Sequence, residues 1–188
     1  MTIDQFIQAV LDQAKQAGIE AAEIYLSSGD SFRAMCVEGQ INNYTVNSTR
    51  GLSLRGLYHG KMGYAATEAL DEEAIGQLVN AVKESAELTE DEDVQEIYQG
   101  DDAYPQVETY QSALDEVPED KKLALVLALE KEAKAMDPRI AGLSYDMIST
   151  SSAETRIVNT YGLNLHHRDN YAYAYVGAIA KEGERVAT

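Results

Sequence analysis

The feature that most constrains this chain is a segment that occurs twice. Thr49-Arg50-Gly51-Leu52-Ser53-Leu54 is echoed by Thr160-Tyr161-Gly162-Leu163-Asn164-Leu165. Each copy follows an amphipathic helical stretch and two or three strand-like runs, and each leads into another strand. A recurrence of that size predicts two similar helix-plus-sheet units within the 188 residues. They would span about 1–88 and 117–182, with a connector over about 89–116. Gly51 and Gly162 are then expected at equivalent strand-entry turns, where a side chain is poorly tolerated.

Local signals fill in the two units. Thr2 with Gln5 three residues on reads as a capping box. Ile3, Phe6, Ile7, Val10, Leu11 and Ala14 then recur at helical spacing, and Gly18 is the expected stop. Ala22, Ile24 and Leu26 alternate like a strand that turns at Gly29-Asp30; Phe32, Ala34 and Cys36 make the next run. Ile41, Tyr44 and Val46 read as a shorter strand. Leu52, Leu54 and Leu57 lead to a hairpin turn at Tyr58-His59-Gly60-Lys61 before Met62–Thr67. Links this short require antiparallel pairing, because a parallel pair needs a long crossover.

Asp71 is placed to cap a second helix, with Glu72 and Glu73 at the positive end of its dipole and Leu70 able to staple onto Ile75. Its buried stripe is Ile75, Leu78, Val79, Val82 and Ala86. Pro118 is expected as the first residue of a third helix. That helix carries Leu123, Val126, Leu127 and Ala133 and stops near Asp137-Pro138. Ile140–Thr150, Thr155–Asn159, Leu163–His167 and Tyr171–Ala180 read as strands, with turns at Tyr161-Gly162 and Arg168-Asp169-Asn170. Gly183–Thr188 carry no terminal signature, as though the chain ends within a longer protein. The pattern predicts an α+β fold, a two-layer sandwich with helices on one face of a largely antiparallel sheet.

Composition excludes several functions. Fifteen basic residues against 32 acidic ones give a net charge of -17, the wrong field for a phosphate backbone, so no nucleic-acid partner is expected. The acidity concentrates between Glu84 and Glu119, in Glu90-Asp91-Glu92-Asp93 and Asp101-Asp102, and reads as a solvated connector. It lacks the ordered spacing of a calcium loop. No apolar run is long enough to span a bilayer, the N-terminus lacks the basic and apolar parts of a secretory signal, and the lone Cys36 cannot form an internal disulfide. A cytoplasmic protein with no membrane partner is expected.

No catalytic or metal residue can be assigned from spacing. His166 and His167 are strand neighbours that point to opposite faces and cannot share one ion without help from His59 or distant carboxylates. There is no Gly-x-Ser-x-Gly elbow, and Cys36 sits in an apolar alternation typical of a small core residue. The chain is therefore expected to lack peptidase activity, to bind no stoichiometric zinc and to need no cofactor of its own. Gly51, Gly56, Gly60 and Gly63 read as bulges or tight turns. Tyr171, Tyr173 and Tyr175 share one strand face. They can cover a helix, or join a sheet edge in holding an extended peptide. Together with Leu52, Leu54 and Arg55 they form the candidate peptide or interface face, expected to leave apolar and aromatic surface uncovered.

One series of motifs is more specific. Glu23-Ile24-Tyr25, Val37-Glu38-Gly39-Gln40-Ile41, Gly51-Leu52-Ser53-Leu54-Arg55, Gly63-Tyr64-Ala65-Ala66-Thr67, Asp137-Pro138-Arg139-Ile140 and Thr160-Tyr161-Gly162 resemble, in order, the N-terminal α/β domain of the TldD/PmbA family. Those proteins were once described as modulators of DNA gyrase and are regarded as metallopeptidases. The details look closer to the PmbA (TldE) type. The resemblance implies a cavity, formed with a TldD/PmbA-type partner subunit, in which peptides or unfolded segments are cleaved, while the uncovered surface of the candidate face predicts self-association. Zinc is implied only for a TldD-type subunit bearing a His-Glu-x-x-x-His motif, which this sequence lacks. The alternative implied is a stand-alone peptide-binding or gyrase-associated module.

Overall fold

The computed structural model describes residues 1–90 and 95–188; Asp91, Glu92 and Asp93 of the acidic run lie outside the described residues. Among the latter are four helices, α1 (Ile3–Gln16), α2 (Glu72–Leu88), α3 (Ser112–Asp115) and α4 (Glu119–Met136). Six strands, β1 (Ala21–Val37), β2 (Gln40–Tyr58), β3 (Lys61–Thr67), β4 (Ile140–Asn159), β5 (Asn164–Glu182) and β6 (Arg185–Ala187), form one antiparallel sheet in the order β3-β2-β1-β4-β5-β6. The chain divides into two compact units that interleave along the sequence. The first comprises Met1–Ser28, Thr49–Val107 and Glu154–His167, the second Gly29–Ser48, Glu108–Ala153 and Arg168–Thr188.

The caps form as their residue types dictate. The Thr2 hydroxyl accepts from the Gln5 N–H at 3.2 Å, and the Gln5 side chain accepts from the Thr2 N–H at 2.8 Å. Gly18 takes φ +83 just past α1, the left-handed conformation that ends a helix without a Cβ penalty. Asp71 accepts from the Ala74 N–H at 2.9 Å, and Leu70 packs on the same core as Ile75. Pro118 is the cap of α4, so the helix starts at Glu119, one position later than expected.

The strands differ most from expectation. Four of them run 17 to 20 residues, so the supposed turns at Gly29-Asp30 and Arg168-Asp169-Asn170 are strand interior. Gly29 has another use: a Cβ there would lie 3.0 Å from the Ser152 carbonyl of the neighbouring strand. At Asn170 the side chain clamps the connector, accepting from the Gln111 N–H and donating to the Gln111 carbonyl, both at 2.8 Å. These polar, turn-forming residue types serve lateral contacts here instead of chain reversals. The tight turns are elsewhere, at Glu38-Gly39, His59-Gly60, Gly162 and Gly183, all with positive φ. Gly162 thus sits in a hairpin at φ +95, whereas Gly51 lies within β2. Their equivalence does not hold.

In the first unit Ala22, Ile24 and Leu26 of β1 and Leu52 and Leu54 of β2 are buried against Phe6, Ile7 and Val10 of α1 and Ile75, Leu78 and Val82 of α2. In the second, Phe32, Ala34 and Cys36 of β1 meet Val126 of α4 and Ile148 of β4. Each unit is a helix layer on one sheet face, as the periodicities required.

Candidate functional site

The open face of the second unit is aromatic. Tyr171, Tyr173 and Tyr175 alternate along β5, so their rings share a side, and they are 54%, 37% and 44% exposed. Successive rings stack with centroids 6.1 and 6.0 Å apart and planes within 13°. Tyr145 of β4 extends the row to Tyr175 at 6.2 Å. The Ser149 hydroxyl and the Arg33 guanidinium hold the Tyr173 phenol below its ordinary pKa. β6 pairs only with Ala180–Glu182 of β5, and the connector bridges β5 at Asp169. Between them, no described strand pairs with the outer edge of β5 that carries the three tyrosines.

Leu52 and Leu54 do not belong to such a face. They are fully buried in the first core, because the parity that puts them on the same strand side turns that side toward α1 and α2. Arg55, of opposite parity, faces out. Its guanidinium meets the Glu23 carboxylate at 2.7 Å in a shallow concavity of 490 Å³, also lined by Tyr25, Ser53, Tyr64 and Ala66. Tyr25, which alternates with Ala22, Ile24 and Leu26, and Tyr64 are surface aromatics outside the expected face.

The histidines do not assemble. His59 lies in the β2–β3 turn, stacked on Tyr58 with centroids 4.0 Å apart. His166 is paired with Glu154 at 2.9 Å on an exposed strand.

A different group does assemble, under α4 in the second unit. Cys36 of β1, Glu130 of α4 and Asp146 of β4 are all buried. Glu130 falls on the Val126–Ala133 stripe, where a carboxylate was not sought. The Cys36 thiol and the Gly39 N–H each donate to Glu130 Oε2 at 2.7 Å, and Lys134, one turn on, donates to Oε1. The Cys36 and Lys134 bonds lead in holding the Glu130 carboxyl down to about 2. Burial, then the bond to Glu130, pushes the thiol up to about 12, so Cys36 is no nucleophile. Asp146 is the odd member. Neither of its oxygens has a hydrogen-bond partner. Burial and the Glu130 charge push it up to about 6, partly offset by the Cys36 thiol and Lys134.

A folded pKa above the ordinary carboxyl value of 3.8 means the ionised form is disfavoured in the native state. Its contribution is favourable below about 3.8 and is lost as pH rises through about 6. Chelator-treated protein is therefore expected to gain about 1 kcal/mol of stability from this residue between pH 7.5 and pH 5. Glu130 begins to oppose the trend only below about 4.5. Asp146→Asn should remove that slope in urea titrations; identical slopes in both proteins would contradict the assignment.

The fold and sites thus define an antiparallel-sheet protein with an open aromatic face, a buried thiol–carboxylate group and no assembled hydrolytic set among the described residues. Residues 22–87 match PmbA/TldA metallopeptidase domain 1, and residues 112–188 match the PmbA/TldA metallopeptidase central domain. The chain belongs to the PmbA/TldA (TldD/PmbA) family. Solved structures share its fold. One from Thermotoga maritima, described as a candidate modulator of a DNA gyrase, superposes with a TM-score of 0.87 at 19% identity, over 98% of this chain and 42% of that one. TldE from Thermococcus kodakarensis gives 0.85 at 18%, over 97% of this chain and 41% of its own. A candidate gyrase modulator from Bacteroides thetaiotaomicron gives 0.76 at 21%, over 97% and 42%. The chain therefore spans about two-fifths of those structures. No curated protein sequence matched it. Among the described residues no helix is long and apolar enough to cross a membrane.

Proposed function

We propose that this chain is a non-catalytic part of a TldD/PmbA-family peptidase that engages extended or unfolded polypeptide and walls the cavity where a zinc-bearing partner subunit cleaves it. The carrying observation is the stacked tyrosine row on an open sheet face beside an unpaired strand edge, in a chain without a His-Glu-x-x-x-His motif. An edge supplies main-chain hydrogen bonds to any extended segment, and flat aromatic rings give contact area that tolerates many sequences. Walling such a surface inside a cavity gives selectivity by shape: extended chains enter and folded proteins do not. Peptides are the substrates on this reading, and a second family subunit, or a second copy of this chain, is the partner.

The test is binding of a fluorescent, permanently unfolded polypeptide to the chain and to a variant with Tyr171, Tyr173 and Tyr175 all changed to Ser. These side chains are exposed, so the fold should survive. Affinity should fall about tenfold or more, since hot spots on such surfaces centre on aromatic anchors. Unchanged affinity in a folded variant would refute the peptide-holding role.

A further inference from the structure

The group under α4 has chemistry that the peptidase reading does not use. One thiol and two carboxylates, from Cys36, Glu130 and Asp146, place their ligand atoms within 4.8 Å of one another. Glu130 is satisfied by its three donors, whereas Asp146, only 2% exposed, has both oxygens unpartnered in the same cluster. A buried carboxylate without a donor is costly unless something compensates it. Its two neighbours in the group are the ligand types that bind cations.

We propose that Cys36 Sγ, one oxygen of Glu130 and one oxygen of Asp146 bind a zinc-type divalent ion, with water in the fourth position. The donor set decides the class. A thiolate is a poor ligand for calcium or magnesium, and two carboxylates are poor ligands for copper(I), which leaves borderline ions such as Zn²⁺ and its spectroscopic substitute Co²⁺. Bond lengths near 2.0–2.3 Å in a tetrahedral site put ligand atoms about 3.5 Å apart. The Cys36–Glu130 pair at 2.7 Å must therefore open by roughly 1 Å, within reach of side-chain rotation, while Asp146 closes in.

Charge also balances. Binding sends the thiol proton to solvent, leaving three anionic ligands around a doubly charged ion, and Lys134 supplies the remaining positive charge. Its side chain is 40% exposed, so it can leave Glu130 Oε1 and stay close to the ion. The proposed site runs counter to the expectation that the chain binds no stoichiometric zinc, because two buried carboxylates join the one cysteine. It is a folding site, independent of the peptide-holding face.

Cobalt titration of chelator-stripped protein tests it. One equivalent should bind with a thiolate-to-cobalt charge-transfer band in the near ultraviolet, zinc should displace it, and zinc should raise the thermal midpoint. Cys36→Ser should abolish the band, and Asp146→Asn should weaken cobalt binding by about tenfold or more. Metal-free melting curves of both variants separate a lost site from a lost fold, and if Cys36→Ser does not fold, Asp146→Asn decides alone. No charge-transfer band in the wild type, or cobalt affinity unchanged by Asp146→Asn, overturns the site.

Discussion

Gly63→Ala is expected to destabilise the protein by about 4 kcal/mol or more, a large fraction of a domain's usual stability. A Cβ on Gly63 would stand 1.9 Å from the Val82 carbonyl oxygen and 2.9 Å from the Ala86 nitrogen. Both obstacles are backbone of α2, so no rotamer change relieves them. Gly63 is paired across the hairpin with Gly56, where a Cβ would meet Ile19 Cγ2 at 2.7 Å and Val82 Cγ1 at 3.1 Å. The paired glycines clear a channel in which α2 lies against the sheet. Gly60→Ala is the control. Nothing lies within 4 Å of a Cβ there, and only its φ of +73 resists, at a cost of about 1 kcal/mol. Urea midpoints should separate the two variants widely. A Gly63→Ala protein no weaker than Gly60→Ala would show that α2 does not seat on the hairpin backbone.

Glu130→Ala should cost about 3 kcal/mol at pH 7. It leaves the Gly39 N–H without its acceptor and removes the partner of Lys134 and Cys36. Because the folded carboxyl sits at about 2 against an ordinary value of 4.5, this contribution is fully present above about 4.5 and is lost as pH falls toward 2. The gap between wild type and Glu130→Ala should therefore narrow in acid. A constant gap from pH 7 to pH 3 would place the loss in packing rather than charge.

The two glycines show where sequence reading stops. Their spacing was visible, but a bulge, a turn and a helix seat all call for glycine, and only the position of α2 distinguishes them. Helix starts were legible, because Thr2 with Gln5 and Asp71 with Ala74 are local chemistry decided within four residues. Strand alternation was legible too, and it put Cys36 and Phe32 inward correctly, whereas Leu52 and Leu54, expected on an uncovered face, are buried. Strand length was not, since Gly29 and Asn170 look like turn residues until their neighbours on other strands are known. The buried group was hidden for the same reason: Cys36, Glu130 and Asp146 lie far apart in the chain, and no spacing rule joins them. Tyr171, Tyr173 and Tyr175 could be placed on one face by period alone. Whether that face is covered depends on tertiary structure, and it is open.

The account's central claim is that this chain serves a family peptidase without performing the cleavage. The direct measurement is hydrolysis of an unfolded polypeptide by the zinc-loaded 188-residue chain, alone and mixed with a zinc-bearing subunit of the family. The account predicts no cleavage by the chain alone and faster cleavage by the mixture than by the zinc-bearing subunit alone, with the gain lost in the triple tyrosine variant. Chelator-sensitive hydrolysis by the chain alone, or a mixture no faster than the zinc-bearing subunit, would contradict it.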